Sequence, residues 1–380
     1  MKILLQNCTL WQPDCRFESG VSVFVENDTV VAVGKDAEKR AYDVVYDLGG
    51  ARVIPGLVDV HTHGRAGKDF STATKEEMEM LRLSYAKEGV TSVFPTLASG
   101  TDEEWQSAID SIQACGFDGI HLEGRYLNPQ KRGAHPLPLL SLPDAKDLEH
   151  FLSRIDIPCH VSAALELDED GSFTKAALAH GATVGLGHTN ATAEQTKLAL
   201  TRGARSFTHL FNTMPPLHHR EGGVLAIALQ ATGYAELIAD GIHVCPDVVS
   251  LAYHCLGKEH LVLVTDSMEA TGCPDGDYTI AGQPVRVENG IARTAAEGAL
   301  AGSTLELWQG VRNLMRFASV SLEDAVRSAT LTPAEMVGID GKVGTVETGK
   351  KANLVILDDA LEIVGVLLEG NWIIDPNGGK

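Results

Sequence analysis

Two histidines separated by a single residue, His61 and His63, end an apolar run in the segment GLVDVHTHG, residues 56–64. A buried imidazole is costly unless it is hydrogen-bonded or binds a metal. Side chains at positions i and i+2 of a strand point to the same side. His61 and His63 can therefore face one cavity and chelate one ion. Hydrogen-bonded core histidines would give the same pattern, so other residues must decide between the two interpretations.

Further groups that can bind a metal or move a proton end other apolar runs. They are Glu123 after the third run, His188 after the fifth, His209 after the sixth, His243 after the seventh and Asp266 after the eighth. Such a set in one cavity would be costly to desolvate without a cation to pair it. Imidazole and carboxylate suit a divalent transition metal, Zn²⁺ first and Fe²⁺ as the alternative. His121 and His160 lie inside runs, and we interpret them as core residues.

The elements that must bring these residues together are strands that alternate with helices. Apolar runs rich in Val and Ile lie at 56–62, 90–96, 118–124, 157–163, 182–189, 204–211, 235–244 and 260–267. Helical patterns between them include 75–88, 102–115, 174–180, 193–201 and 246–256. Eight strand–helix units predict an α/β fold, a (β/α)8 TIM-type barrel with its chemistry at the carboxyl ends of the strands. A doubly wound open sheet shares the pattern and stays an alternative.

Both ends of the chain read as short strands separated by turn residues. Residues 1–52 contain KILLQNCTL and GVSVFVENDTVVAVG, and residues 346–380 contain ANLVILD and IVGVLLEG. We predict that the two termini pair into a small β-sandwich domain. The barrel domain then spans residues 53–345.

Composition limits the partners. Thirty-one basic against 51 acidic residues give a net charge of −20, which argues against nucleic acid and anionic membrane surfaces as partners. Seven scattered cysteines without a CxxC pair indicate a reducing compartment. The first ten residues lack the features of a signal peptide, and no run approaches the ~18 apolar residues of a membrane span. We therefore expect a cytoplasmic protein.

The segments that carry these residues resemble the N-acetylglucosamine-6-phosphate deacetylase family of the amidohydrolase superfamily. In chain order they are PGLVDVHTHG, HLEG, NPQKRGAHP, GHTNA, THLFNTMPPLHHREGG, ADGIHV, LVTDSM and LAGS, and they extend over almost the whole chain. HxH alone indicates only the superfamily. THLFNTM and the combination of HLEG with GAHP are typical of this particular family.

The resemblance implies a role for each matching residue. Glu123, His188 and His209 would bind a divalent metal, and His61 with His63 would allow a second ion bridged by Glu123, so one or two ions are expected. Asp266 would be the general base and acid. The remaining residues would bind substrate: His135 the acetamide, His243 and Arg220 the phosphate, Asn212 and Thr213 the same anion, and Leu300 the acyl end. Arg220 would reach in from the other subunit, which implies a homodimer.

The implied reaction is hydrolysis of N-acetylglucosamine 6-phosphate to glucosamine 6-phosphate and acetate. A metal-activated hydroxide would attack the amide, with Asp266 moving the proton to the leaving amine. One departure from the family is Arg125, which stands where a proline is usual, and we interpret it as a surface loop residue rather than a substrate contact. Alternatives are a deacetylase for N-acetylgalactosamine 6-phosphate, an amidohydrolase for another N-acyl substrate, and a catalytically silent barrel that serves as a scaffold.

Overall fold

The structure is a computed structural model that describes residues 1–378. Its strands in chain order are β1 (Lys2–Gln12), β2 (Arg16–Glu26), β3 (Thr29–Val33), β4 (Val44–Asp47), β5 (Arg52–Pro55), β6 (Leu57–Thr62), β7 (Gly64–Arg65), β8 (Lys68–Asp69), β9 (Val90–Leu97), β10 (Ile120–Glu123), β11 (Cys159–Ala163), β12 (Thr183–Leu186), β13 (Ser206–Phe207), β14 (Tyr234–Ile238), β15 (Leu261–Val264), β16 (Gly276–Ile280), β17 (Gln283–Glu288), β18 (Ile291–Thr294), β19 (Leu354–Leu357), β20 (Ile363–Leu368) and β21 (Asn371–Ile374).

The helices lie mostly between the strands of the central part of the chain. In chain order they are α1 (Lys35–Glu38), α2 (Lys75–Lys87), α3 (Asp102–Ala114), α4 (Ala145–Leu152), α5 (Ser172–Ala179), α6 (Ala193–Arg202), α7 (Gly223–Ala228), α8 (Pro246–Leu256), α9 (Leu307–Ala318), α10 (Leu322–Arg327) and α11 (Leu331–Val337). Short 3-10 turns lie at Pro129–Lys131, Leu137–Leu139 and Leu165–Leu167. Across residues 1–378, none of these helices has the length and apolarity that a membrane crossing requires.

Several helices begin where local sequence dictates. Thr74, Thr101 and Thr192 each accept a hydrogen bond from the backbone N–H three residues later. The side-chain oxygen at that later position in turn accepts a hydrogen bond from the backbone N–H of the threonine. These capping boxes satisfy amide groups that the first turn of a helix leaves unpaired. They start α2, α3 and α6 at the residues that follow each threonine.

Eight strands form a parallel sheet in the order β6-β9-β10-β11-β12-β13-β14-β15. The two ends of this order meet, because the backbone N–H of Asp266 donates to the carbonyl oxygen of His61 at 2.9 Å. The sheet is therefore a nearly closed barrel of the TIM type. The predicted α/β barrel is confirmed, and the open doubly wound sheet is wrong. Each of the eight predicted runs overlaps one strand of the barrel.

Strand β6 carries polar side chains on one face and valines on the other. On β6, Asp59 and His61 alternate with Val58 and Val60, and all four are fully buried. The period of two in a strand places the polar pair on one face and the valines on the other. A packed apolar layer thus surrounds an interior that carries ionisable groups.

The two termini build one further sheet of eight strands in the order β21-β20-β19-β5-β1-β2-β3, with β4 paired to β1. It has its own apolar cluster, which includes Ile3, Leu5, Val23 and Leu354. The predicted joint β unit of the two termini is therefore present. Its sandwich form and the boundaries 1–52, 53–345 and 346–380 stay predictions.

A three-stranded antiparallel sheet, β16-β17-β18, follows the last barrel strand. It packs around a small apolar cluster that includes Met268, Ile280 and Val285. The sequence prediction assigned this stretch to the barrel domain without its own strands. The insertion matters because Ile280 and the residues that follow β18 reach the mouth of the barrel.

Candidate active site

The histidine pair at the end of β6 faces a carboxylate from β10. His61 Nε2 lies 3.2 Å and His63 Nε2 3.0 Å from Glu123 Oε2. Both rings are buried, as is Glu123. The two imidazoles point to the same side of the strand, as the spacing predicted, and they share one oxygen of the carboxylate.

The other oxygen of Glu123 faces a second pair of histidines. His209 Nε2 lies 2.9 Å and His188 Nε2 3.2 Å from Oε1. The ring of His188 is oriented by a 2.7 Å hydrogen bond between its Nδ1 and the carbonyl oxygen of Lys131. Since a carbonyl only accepts, Nδ1 carries the hydrogen and the lone pair of Nε2 faces Glu123.

Three residues of the cluster have left-handed backbone conformations. The φ angles are 46° at His188, 30° at His209 and 48° at Asp266. This region is unfavourable for residues other than glycine and is held only when the surrounding structure enforces it. The turns that follow β12, β13 and β15 are therefore shaped by the position of these side chains rather than by local preference.

Asp266 lies beside the pair formed by His61 and His63. Its Oδ1 lies 3.3 Å from His63 Nε2 and 3.5 Å from His61 Nε2. Together with Glu123 these residues offer ligand atoms that all lie within 4.8 Å of one another. The predicted acid and base thus lies beside the predicted metal ligands.

The donor set fits a divalent cation. Two ligands that each lie ~2.1 Å from one ion in tetrahedral geometry are ~3.4 Å apart, and the separations in this cluster fall near that value. Buried His61 Nε2 and Glu123 Oε1 make no hydrogen bond in the structure. Unpaired buried polar atoms that converge are typical of a cation-binding site.

The electrostatics of the cluster also favour a cation. Burial alone would raise the pKa of Glu123, but the neighbouring histidines, His61 first, hold it well below its usual range. Burial would likewise raise the pKa of Asp266, yet His61 and His63 lower it to about 2. Both carboxyl groups are therefore ionised at neutral pH. Their negative charge requires a positive partner, which a metal ion supplies in place of protons.

A cavity of about 240 Å³ opens above the cluster at the carboxyl ends of the strands. Most of the predicted site residues line it: His63, Glu123, His135, His188, His209, Asn212, Thr213, His243, Asp266 and Leu300. His61 lies beneath the floor of the cavity with no exposed surface. The fold therefore brings most of the site residues predicted from the sequence together around one cavity.

Arg220 is the predicted residue that lies away from this cavity. It is exposed, lies next to His219 with 2.9 Å between Nη1 and Nε2, and borders a different groove with Pro215 and Gly223. Its predicted contact with phosphate would have to be made in the active site of another subunit. That prediction remains a proposal.

His135 is a neutral hydrogen-bond donor at the cavity wall. Burial and the neighbouring His188 lower its pKa to about 3. The backbone N–H of Ser99 donates to His135 Nδ1 at 3.3 Å, and the Ser99 hydroxyl lies 2.9 Å from the same atom. Nδ1 is thus an acceptor, so the hydrogen of the neutral ring is on Nε2. That atom lies 3.8 Å from Glu123 Oε2, on the side of the ring that faces the cluster.

At the far side of the cavity, His243 is oriented by a carboxylate. Its Nδ1 lies 2.6 Å from Asp240 Oδ2, and its backbone N–H donates to the other oxygen, Oδ1, at 2.8 Å. Asn212 and Thr213 line the same cavity. Imidazole, amide and hydroxyl groups can together bind an anionic substrate group.

Arg125 is not the surface loop residue that the sequence suggested. Its side chain is buried and lies 4.9 Å above the rings of Trp105 and Phe151. It forms ion pairs with Asp102 and, at 3.7 Å, with Asp147. The guanidinium is thus directed away from the cavity, and the departure from the family pattern is a packing feature.

Some cavity residues were absent from the sequence prediction. Ile280, Ala299 and Gly302 belong to the β16–β18 insertion and the segment after it. Glu236 on β14 is buried against His61, and a single acid in an apolar strand was the only signal for it. His121 and His160 are buried core histidines, as expected: His121 Nε2 lies 2.8 Å from Ser162 Oγ.

Comparison with known proteins decides the family. Residues 52–373 match the model of the amidohydrolase family. This chain belongs to the amidohydrolase family. It is therefore a metal-dependent hydrolytic enzyme, and the resemblance inferred from the sequence is confirmed.

Individual relatives of this amidohydrolase cover nearly its whole length. It is 34% identical over 376 residues to N-acetylglucosamine-6-phosphate deacetylase of Vibrio furnissii, which covers 96% of this chain and 92% of that protein. It is also 34% identical to N-acetylgalactosamine-6-phosphate deacetylase of Escherichia coli O157:H7, with 97% of both covered. A mutant N-acetyl-D-glucosamine-6-phosphate deacetylase of Mycobacterium smegmatis, solved in complex with N-acetyl-D-glucosamine-6-phosphate, has a TM-score of 0.89, 31% identity and 99% coverage of both chains.

Proposed function

We propose that this amidohydrolase hydrolyses the acetamide of N-acetylglucosamine 6-phosphate to glucosamine 6-phosphate and acetate. The observation that carries the proposal is the Glu123 cluster: four histidines lie within 3.2 Å of its two oxygens, with Asp266 beside them in one cavity. The names of the relatives that match nearly the whole chain support the choice of substrate.

We propose that His61, His63, Glu123, His188 and His209 would hold one or two divalent ions. Zn²⁺ is the proposed metal because imidazole and carboxylate ligands suit it, and Fe²⁺ is the alternative. When bound, such an ion supplies Lewis acidity, which activates water for attack and polarises the acetyl carbonyl.

The role proposed for Asp266 follows from its ionisation. Its low pKa keeps the carboxylate free to accept a proton from the attacking water. The amine cannot leave as an anion, so the same side chain then delivers that proton to the amide nitrogen. Its Oδ1 lies within 3.5 Å of Nε2 of both His61 and His63, beside residues that would hold a metal ion.

The role proposed for His135 follows from its tautomer. A neutral ring with its hydrogen on Nε2 can donate to the acetyl oxygen and stabilise the negative charge that develops there. Ser99 fixes the ring from behind through Nδ1. Leu300, on another wall of the cavity, is proposed to contact the acetyl methyl group.

The phosphate is proposed to lie at the opposite end, against His243, Asn212 and Thr213. The chain has a net charge of −20, so an anionic substrate needs a local site of this kind. Arg220 would add the strongest positive charge if it entered from a second subunit.

A homodimer is proposed because Arg220 would reach the phosphate from a second subunit. An apolar groove lined by Phe211, Met214, Leu217 and Leu251 lies beside His243, and Leu217 and Leu251 are 53% and 50% exposed. A second copy that covers this groove would bury apolar surface close to both active sites. The Arg220 loop, which follows Leu217 directly, would then lie at the interface.

Cytoplasmic location is proposed from the cysteines. All seven are free in the structure, four of them partly or fully exposed. Free thiols in this number are typical of proteins from reducing compartments.

A second candidate substrate is N-acetylgalactosamine 6-phosphate. The relative that carries that name is as similar to this chain, at 34% identity, as the glucosamine enzyme from Vibrio furnissii. The two substrates differ only in the configuration of one hydroxyl group, so the metal cluster would serve both.

The experiment is a rate comparison with purified, metal-loaded enzyme. Acetate release would be measured from the 6-phosphates of both N-acetyl sugars and from unphosphorylated N-acetylglucosamine. We expect the highest kcat/KM with N-acetylglucosamine 6-phosphate and a loss of at least ~100-fold without the phosphate. Preference for the galacto epimer would favour the second candidate. No release from any of the three would overturn the proposed function.

A further inference from the structure

Glu236 is a buried acid that the proposed reaction does not use. It lies on β14, its side chain has no exposed surface, and its Oε2 lies 2.9 Å from His61 Nδ1. The same oxygen accepts the backbone N–H of His209 at 3.2 Å. Its other oxygen, Oε1, makes no hydrogen bond and lies 3.6 Å from His160 Nε2.

An isolated buried carboxylate is strongly unfavourable, so its surroundings must compensate for it. His61 is the compensating group within reach, because its Nδ1–H can donate to the carboxylate. That bond puts the ring hydrogen on Nδ1 and leaves the Nε2 lone pair directed at Glu123. A carboxylate behind a ligating histidine fixes the ring and makes the other nitrogen a stronger ligand.

We propose that Glu236 is a positioning residue for the metal centre, which acts through His61 to set the affinity of the His61/His63 half of the cluster. This inference rests on the proposed role of His61 as a ligand. The second contact of Glu236, to the His209 backbone, supports the left-handed turn there, where φ is 30°. That contact needs an acceptor oxygen but no charge.

The two contacts suggest two substitutions of different severity. Glu236→Gln keeps the size and an acceptor oxygen but removes the charge. Glu236→Leu removes charge and acceptor together at similar volume. Ser206→Ala is a matched control, because Ser206 is a buried barrel residue whose hydroxyl contacts His160 rather than His61.

The measurement is a competition titration of metal-stripped protein with Zn²⁺ against a chelator of known affinity, together with zinc content per chain. His61→Gln identifies the binding step that belongs to the His61/His63 half. We expect Glu236→Gln to weaken that same step ~10-fold and Glu236→Leu up to ~100-fold. In Glu236→Gln, which keeps the acceptor for the His209 backbone, the step that survives in His61→Gln should change less than ~3-fold. Ser206→Ala should leave both steps unchanged.

The outcomes separate this inference from the proposed function. Wild-type protein that binds no zinc would overturn the metal site itself. Wild-type affinity in both Glu236 variants, while His61→Gln loses a step, would overturn only the role of Glu236. Equal weakening of both steps in Glu236→Gln would also contradict it, because that variant keeps the acceptor for the His209 backbone and a purely structural defect acts on the whole centre. If Glu236→Leu does not fold, Glu236→Gln, which keeps shape and hydrogen bonds, decides alone.

Discussion

At the scale of single residues, Glu123 organises the site. One oxygen faces His61 and His63, and the other faces His188 and His209. A carboxylate shared in this way brings ligands from four strands to one point, and it divides them into two halves. This division gives a physical reason for one or two ions in the same pocket.

Asp266 provides the sharpest test at this scale. Asp266→Asn keeps the shape of the side chain but cannot accept a proton, so we expect kcat to fall ~10²–10⁴-fold while KM changes little. Steady-state rates with N-acetylglucosamine 6-phosphate would measure this, and metal analysis would check that zinc content is unchanged.

A suitable control is Asp277→Asn, an exposed position on the β16–β18 insertion. It should behave as wild type in both measurements. Retention of wild-type kcat by Asp266→Asn would contradict the assigned role of this carboxylate.

At the scale of elements, the strand ends determine where chemistry occurs. Apolar runs that alternate with helical patterns identified all eight barrel strands, because a buried parallel strand is largely apolar. Polar residues at the ends of most runs marked the rim where the chemistry lies. The helical patterns predicted at 75–88, 102–115 and 193–201 likewise begin at the residues where α2, α3 and α6 begin. These are local patterns, which a sequence displays directly.

Features that depend on distant contacts were not visible. Glu236 lies within an apolar strand, and its partner His61 is 175 residues away, so no spacing connects them. Arg125 looked like a loop residue, because the rings and carboxylates that bury it come from other elements. The β16–β18 insertion was missed because it follows the last barrel run, in a stretch for which no elements were predicted.

The buried core histidine His160 on β11 gives a prediction at this scale. Burial lowers its pKa from 6.5 to about 4. Between these values the unfolded chain binds more protons than the folded one, so stability should fall as the pH drops from about 6.5 to about 4. The loss is at most about 3 kcal/mol.

His160→Gln removes this titration. In metal-stripped protein, the urea midpoint of the variant should depend less steeply on pH over that range than the wild-type midpoint. Identical slopes for the two proteins would contradict the assignment of His160 as a buried neutral group.

At the scale of the whole molecule, an acidic chain has to bind an acidic substrate. The cavity supplies His243, Asn212 and Thr213, but the exposed Arg220 lies outside it. The proposed dimer would supply the missing positive charge, because the partner subunit would bring its own Arg220 to the phosphate.

Complementation between two inactive variants tests the dimer. In a mixed dimer of Arg220→Ala and Asp266→Asn subunits, one active site has both wild-type residues if Arg220 crosses the interface. Co-refolded equal amounts should therefore recover about a quarter of the wild-type sites. Activity equal to the sum of the separate variants would show that Arg220 acts within its own subunit or not at all.

The central claim is that Glu123 and the four histidines around it bind catalytic metal. Anomalous diffraction at the zinc edge, on crystals of the zinc-loaded enzyme, tests it most directly. The account predicts a peak in contact with Glu123, His188 and His209, and a second peak, where two ions bind, in contact with Glu123, His61 and His63. A peak remote from Glu123, or no peak at the mouth of the barrel, would contradict it.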